Sequence, residues 1–334
     1  MNYHRKQFMT CIRSEIIGHG HYQPAKVLTN DDMAKIVETS DEWITERTGI
    51  KSRHIAADGE LTSDLALHAA EMALKNAGIG AEELDLVVVG TVTPDNTFPA
   101  VATKIAAKLG CRHGVPAFDL SAACSGFVYS LTMADNMLRL GQAKTALVIG
   151  AETLSRVTDW TDRNTCVLFG DGAGAVVIRA YEGKGDTSDR GVLSTKIFSD
   201  GAQYDNLYCK GGVSSTQTAG FTFMNGKEVF KSAIGCLTQA AEEVAELAGI
   251  NVTDIDWLLP HQANIRIIEG VGKKLELPES KVIVTIDHQA NTSAASIPLA
   301  LSECLESGKI KKGDLVIFNS MGAGFTWGGA LVRI

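Results

Sequence analysis

The chain is 334 residues long, 45% hydrophobic and 21% charged, with a formal net charge of −8. This composition predicts a soluble globular protein of one large domain or two packed halves, and its acidic balance gives no support for nucleic-acid binding, which calls for a strongly basic face. No apolar run approaches the roughly 20 residues that span a bilayer, so no membrane partner is expected.

In chain order, the opening MNYHRKQFMTCIRSEIIG carries charges but no apolar h-region before the first strand-like segment, so a secretory signal is not expected. Seven cysteines, odd in number and scattered, predict reduced thiols in a cytoplasmic setting. They form no Cys-x-x-Cys pair, and no His-Glu-x-x-His occurs, so no metal site is expected. The segment SDLALHAAEMALKNAG reads as an amphipathic helix with Leu65, Ala69, Met72 and Ala73 on one face, followed by LDLVVVGT as a buried strand. VPAFD reads as a short strand, and FVYSLTMADNMLRLG as a helix whose Phe127, Leu131, Ala134 and Leu138 share a face.

Between these two lies SAACSG, with Cys124 where the strand hands over to the helix. Unpaired N–H groups and the positive end of the helix dipole favour a thiolate there, and the small neighbours admit a substrate. Taken alone, the stretch also fits the commoner case, a buried inert cysteine filling a small gap. Further on, the glycine clusters GDGAG (170–174) and GAGFTWGG (322–329) lack phosphate-loop spacing and read as tight turns feeding strands.

The order then repeats. A strand to Asp119, a turn at Ala122, a helix and the strand Leu147–Ile149 are matched by a strand to Asp287, a turn at Ala290, a helix and Leu315–Ile317. The offset is 168 in both cases (287 − 119 and 315 − 147). GAGAVVI matches GGALVRI, and LDLVVVG matches IDWLLPH. The reading is an α/β sandwich of two similar halves, residues 10–180 and 181–334, with helices around buried sheets and corresponding turns face to face. The turn of Cys124 would then face that of Asn291.

Two strings are identical: His261-Gln262-Ala263-Asn264 and His288-Gln289-Ala290-Asn291. Each follows a predicted strand, DWLLP and VIVTID, at the carboxyl end where α/β folds place ligands. A lone His or Asn in such a turn is usually a cap or a solvated residue; two copies beside a matching cysteine turn point to a shared site. Cysteine, histidine and asparagine suit thioester chemistry. The thiolate is nucleophile and leaving group, while neutral imidazole and carboxamide donate hydrogen bonds to developing negative charge. Backbone N–H groups of Cys124 and the 322–324 turn, which includes Ala323, would form an oxyanion hole.

TSDEWITERTGI (39–50), AACSGF (122–127), DRNTCVLFGDGAGAVV (162–177), WLLPHQANIRII (257–268), NTSAAS (291–296) and GFTWGGALVRI (324–334) together resemble β-ketoacyl-acyl carrier protein synthase III, of the thiolase superfamily. The resemblance runs from about Ile16 to Ile334. It implies a thiolase-like, layered α-β-α-β-α fold in which the first half carries the nucleophile and the second the catalytic His and Asn. It also implies that Cys124 is acylated and that His261 and Asn291 assist decarboxylation of a malonyl group. His288 is left without a role, and Asn264 with a supporting or coenzyme A-contacting one.

By the same resemblance Trp43, Arg47 and Arg163 clasp the adenine and phosphate end of coenzyme A, a task that suits a stacking ring and two guanidinium groups. Phe98 matches a residue that reaches into the partner's acyl pocket in a family homodimer; without that match it reads as core. The chain departs from the family at Met321-Gly322-Ala323-Gly324, where Phe and three glycines are frequent, and this bears on the acyl tunnel that Met321 would line.

The activity implied is condensation of an acyl-coenzyme A primer, acetyl being expected, with malonyl-acyl carrier protein to start fatty-acid synthesis. No metal or redox cofactor is implied, coenzyme A entering only as the substrate thioester. The rivals are a condensing enzyme of secondary metabolism, a papain-like Cys-His-Asn hydrolase and a non-catalytic synthase subunit. The carrier protein calls for a local basic patch on an acidic chain. The helix after His261 supplies one: Ile267, Ile268, Val271 and Leu275 form its buried stripe, and Arg266, Gly270, Lys273 and Lys274 fall on or beside the outer face. Lys231 would extend the patch, and basic positions of the family receive the carrier protein.

Overall fold

A computed structural model describes residues 11–334. Residue 10, the expected start of the first half, and most of the segment inspected for a signal lie outside the described residues. The strands are β1 (Cys11–Tyr22), β2 (Lys26–Thr29), β3 (Ser52–Ile55), β4 (Leu86–Gly90), β5 (Ala117–Leu120), β6 (Thr145–Thr153), β7 (Asp171–Gly183), β8 (Gly191–Ser199), β9 (Leu207–Gly212), β10 (Thr218–Met224), β11 (Trp257–Pro260), β12 (Leu315–Gly322) and β13 (Thr326–Arg333). The helices are α1 (Asn30–Met33), α2 (Asp41–Thr48), α3 (Thr62–Ala77), α4 (Val101–Leu109), α5 (Gly126–Arg139), α6 (Arg163–Cys166), α7 (Gly226–Leu247), α8 (Ile265–Lys274), α9 (Ile286–Gln289) and α10 (Ser296–Glu306).

Two mixed sheets carry the fold, in the orders β1-β7-β6-β4-β5 and β8-β13-β12-β11. In each, two antiparallel pairings (β1-β7-β6 and β8-β13-β12) are followed by a parallel one (β6 with β4, β12 with β11), and in the first sheet β5 adds a further parallel strand. The second sheet thus repeats the first with its fifth strand missing. The missing member is VIVTID: only Val282 bridges Leu258, and residues 286–289 turn into α9, so the predicted strand to Asp287 is not formed. A buried side chain has replaced its ladder. Gln262 donates to the Ile283 carbonyl at 3.2 Å and accepts the Thr285 N–H at 2.8 Å, satisfying backbone groups that a strand would pair.

Helices α5 and α10 lie between the sheets, where Phe127, Leu131, Ala134, Ile297, Ala300 and Leu301 share one core with Val148, Val176 and Phe318. α10 is buried over most of its surface, as a doubly covered helix must be. α3 and α4 cover the outside of the first sheet, and α7 and α8 that of the second, through separate apolar clusters. The result is five layers, α-β-α-β-α.

Two expectations shift here. The boundary between residues 180 and 181 falls inside β7, whose pairing with β1 runs on to Gly183. GDGAG is mostly strand, not turn: Asp171 opens β7, and a Cβ on Gly174 would collide with Pro298 and Leu299. Glycine is present there to let α10 approach the sheet. A Cβ on Gly150 of β6 would likewise strike the carbonyl of Ala294, so glycine seats the turn 293–295 directly on β6.

Candidate active site

Cys124 sits in a single 3-10 turn, Ala123–Ser125, that leads from β5 into α5. The turn is fastened to the opposite half. Ser125 Oγ donates to the Thr326 carbonyl at 3.0 Å, and Thr326 Oγ1 donates to the Ala122 carbonyl at 2.9 Å and the Ala323 carbonyl at 3.1 Å. A Cβ on Gly322 would lie 2.5 Å from the Cys124 nitrogen, so only glycine permits this approach of the 322–324 loop to the nucleophile turn.

His261 follows β11 directly, its N–H donating to the Asn319 carbonyl at 2.8 Å. It is 2% exposed and its Nδ1 has no hydrogen-bond partner. Burial lowers its pKa to about 3, so the ring is neutral at ordinary pH. Asn291 is tied to the other half through backbone bonds, its N–H to the Leu168 carbonyl and its carbonyl from the Gly170 N–H, both at 3.0 Å. Its Oδ1 accepts the Ser293 N–H at 2.9 Å, which orients the carboxamide and leaves the NH2 end for a ligand.

Cys124, His261 and Asn291 all line one cavity of about 270 Å³, with Met321 and Ala323 in the same wall. The thiol itself runs against expectation: burial pushes it up to about 12, outweighing a hydrogen bond from the Ser293 side chain. Desolvation of the charged form dominates whatever the start of α5 contributes, so the resting group is a thiol. The hairpin β9–β10, which sequence reasoning left unassigned, supplies Leu207, Tyr208 and Met224 to the cavity wall. Its signal was two short apolar-alternating runs around GGVSSTQ.

A larger open cleft, about 730 Å³, holds Trp43 and Arg47 and shares Leu168, Met224 and Asn264 with the inner cavity. Arg47 and Arg163 both lie over the Trp43 ring, each guanidinium carbon 4.9 Å from its centroid. Asn264, expected to support the site or contact coenzyme A, lines both spaces and has its amide atoms committed to structure. Its Oδ1 caps α8 by accepting the Arg266 N–H at 2.9 Å, and its Nδ2 donates to the Arg47 carbonyl at 2.9 Å, so the side chain braces the cleft.

Phe98 is 83% exposed and lines neither cavity of its own chain, which corrects the reading of it as core. His288 lies outside both, with Nδ1 2.8 Å from Asp287 and Nε2 2.9 Å from Glu303. Along α8, Ile267, Ile268, Val271 and Leu275 are buried while Arg266, Lys273 and Lys274 are exposed, as is Lys231. Gly270 is the exception: a Cβ there would meet Ile234 at 2.7 Å, so it faces α7 and not the outer surface.

Among the described residues, no helix is long and apolar enough to cross a membrane. The family described as 3-oxoacyl-[acyl-carrier-protein] synthase III matches residues 118–201, and its C-terminal part residues 245–334. The β-ketoacyl-[acyl-carrier-protein] synthase III of Rhodospirillum centenum is 62% identical over 96% of this chain and 99% of its own. That of Paramagnetospirillum magneticum is 59% identical over 97% and 99%. The crystal structure of the 3-oxoacyl-[acyl-carrier-protein] synthase III of Aquifex aeolicus superposes with a TM-score of 0.90 at 47% identity, covering 96% of this chain and all of that one. With this likeness running over nearly the whole length in both sequence and fold, the chain belongs to the β-ketoacyl-acyl carrier protein synthase III family of thiolase-fold condensing acyltransferases.

Proposed function

We propose that the chain starts fatty-acid synthesis by condensing an acyl-coenzyme A primer, acetyl first among them, with malonyl-acyl carrier protein. Cys124 attacks the primer thioester and releases coenzyme A. Malonyl-acyl carrier protein then enters, loses carbon dioxide, and its carbanion attacks the acyl-cysteine to give 3-oxoacyl-acyl carrier protein. The observation that carries this reading is the meeting of Cys124, His261 and Asn291 in one cavity. The neutral ring of His261 and the NH2 of Asn291 donate to the enolate oxygen formed on decarboxylation, and the N–H groups of Cys124 and Ala323 to the tetrahedral oxyanion. No cofactor beyond the coenzyme A thioester takes part.

Trp43 with Arg47 and Arg163 offers a stacking face and paired charges for the nucleotide end of coenzyme A at the mouth of the cavity. Arg266, Lys273, Lys274 and Lys231 receive the acidic carrier protein. The exposed Phe98 and the edge strand β5 offer a surface to a second copy, in line with a homodimer in which Phe98 enters the partner's acyl pocket. Seven unpaired cysteines suit a cytoplasmic enzyme. The test is purified protein with a panel of acyl-coenzyme A primers and malonyl-acyl carrier protein, read by mass spectrometry. Acyl-Cys124 and 3-oxoacyl-acyl carrier protein are expected; amide cleavage without carbon dioxide release, or no acyl-enzyme at all, would remove this function.

A further inference from the structure

Acylation needs somewhere to put the Cys124 proton, and His261, whose burial keeps it neutral down to about pH 3, is a poor acceptor. Behind the thiol lies a carboxyl group that this chemistry has not used. Glu152 stands in β6, a strand otherwise without charge, and is wholly buried. It accepts from Thr93 Oγ1 at 2.5 Å, from Thr91 Oγ1 at 3.2 Å, from the Val92 N–H at 3.2 Å and from Ser293 Oγ at 3.3 Å. The same Ser293 lines the cavity into which the Cys124 thiol opens. Ser293 is held in place by a left-handed backbone (φ 50°), by its N–H to Asn291 Oδ1, and by the contact of its turn with Gly150 on β6.

We propose that Ser293 and Glu152 form the proton relay of the acylation step, an inference that rests on Cys124 being the nucleophile. The Cys124 S–H bond breaks as its proton passes to Ser293 Oγ, whose own proton passes to the Glu152 carboxylate. The sulfur attacks the thioester carbonyl, the carbon–sulfur bond to coenzyme A breaks, and the proton returns by the same route to the leaving thiolate. Protons and charge balance without another reactant. Glu152 acts through Ser293 and is a positioning and proton-holding residue.

Burial raises Glu152 to about 7, against the pull of its hydrogen-bond donors, which suits a group that must take and return a proton near neutrality. The groups packed on it are the neutral Thr91, Val92 and Thr93, Gly172 opposite it on β7, and Ser293; Cys124 is the titratable neighbour.

The test is single-turnover release of coenzyme A from acetyl-coenzyme A across about pH 5 to 9, with the acyl site mapped by peptide mass. The wild-type rate should rise with pH and level off above about 7, once Glu152 is ionised. Glu152→Gln should be slower by about 100-fold and keep rising without a plateau. Glu152→Asp should restore the plateau at a reduced rate. Ser293→Ala, which leaves the bonds of Glu152 to Thr91, Val92 and Thr93 in place, should behave as Glu152→Gln and guards against a misfolded variant. An acyl-Cys124 formed within about threefold of the wild-type rate, with the plateau intact in both Glu152→Gln and Ser293→Ala, overturns the relay alone. Absence of the acyl group from Cys124 in the wild type overturns the nucleophile and the relay together.

Discussion

The two His-Gln-Ala-Asn strings have the same four residues and opposite uses. The first follows β11 directly, so its histidine enters the cavity while Asn264 turns back to cap α8. The second is partly wound into α9, so His288 reaches solvent and pairs with Asp287 and Glu303, while Asn291 enters the cavity. Both glutamines are buried and bond Thr285, one through its backbone N–H and one through its hydroxyl, locking the copies to each other. Each copy therefore gives the cavity one side chain with a free polar end, His261 or Asn291, and commits the polar atoms of its other His or Asn to structure. The difference is made by the backbone before the string, since strand and helix send successive side chains to different sides.

The sharpest way to break this comparison is paired substitution of the histidines. His261→Ala should lose about 10²–10³ in condensation while still forming acyl-Cys124, as expected for one donor to developing charge. His288→Ala should stay within about twofold of wild type. Equal losses would show that the copies were assigned the wrong way round.

Next come the asparagines, measured by malonyl-acyl carrier protein decarboxylation and by thermal melting. Asn291→Ala should lose most of the decarboxylation. Asn264→Ala should keep most of it but lower stability by about 1 kcal/mol, the usual cost of a lost helix cap. A catalytic loss at Asn264 as large as at Asn291 would mean that its bond to Arg47 matters to chemistry.

The helices behind the copies differ as well, α8 exposing Arg266, Lys273 and Lys274 while α10 is enclosed. Joint Lys273→Glu and Lys274→Glu changes should raise KM for malonyl-acyl carrier protein, more at low salt where screening is least, and leave acylation by acetyl-coenzyme A nearly unchanged. An unaltered carrier-protein dependence across a salt series would take α8 out of the docking surface.

The smallest expected effect is on stability against pH. Glu303, with Asp287, raises His288 from 6.5 to about 9, so the folded state holds its proton more tightly than the unfolded chain. Its contribution should be complete below about 6.5 and vanish as pH rises through about 9. His288→Gln should therefore melt lower than wild type at low pH and converge with it above that range. The gap is small because His288 is 45% exposed and solvent weakens the pairs. A gap independent of pH would mean that packing, not charge, is lost.

Local pattern was enough to read several things from the sequence: the alternating elements, the apolar faces of α3, α5 and α8, and the turn that holds Cys124 in AACSGF. The 168-residue offset also placed that turn opposite Asn291. These depend on spacing along the chain, which the backbone periods of helix and strand convert directly into faces. What spacing could not carry was anything set by contacts between distant segments. VIVTID has a strand's composition, but the buried Gln262 amide takes the backbone bonds that would have paired it. Asn264 and Asn291 share a local sequence but meet different partners, Arg47 and Arg266 for the first and Ser293 for the second. Glu152 is a lone acid in an apolar run, and the packing of residues 293–295 on Gly150 brings the Ser293 hydroxyl to 3.3 Å from it at the wall of the cavity that Cys124 lines. The protonation of Cys124 was decided in the same way, since the cost of burying a charge depends on every segment that closes over it and not on its neighbours in sequence.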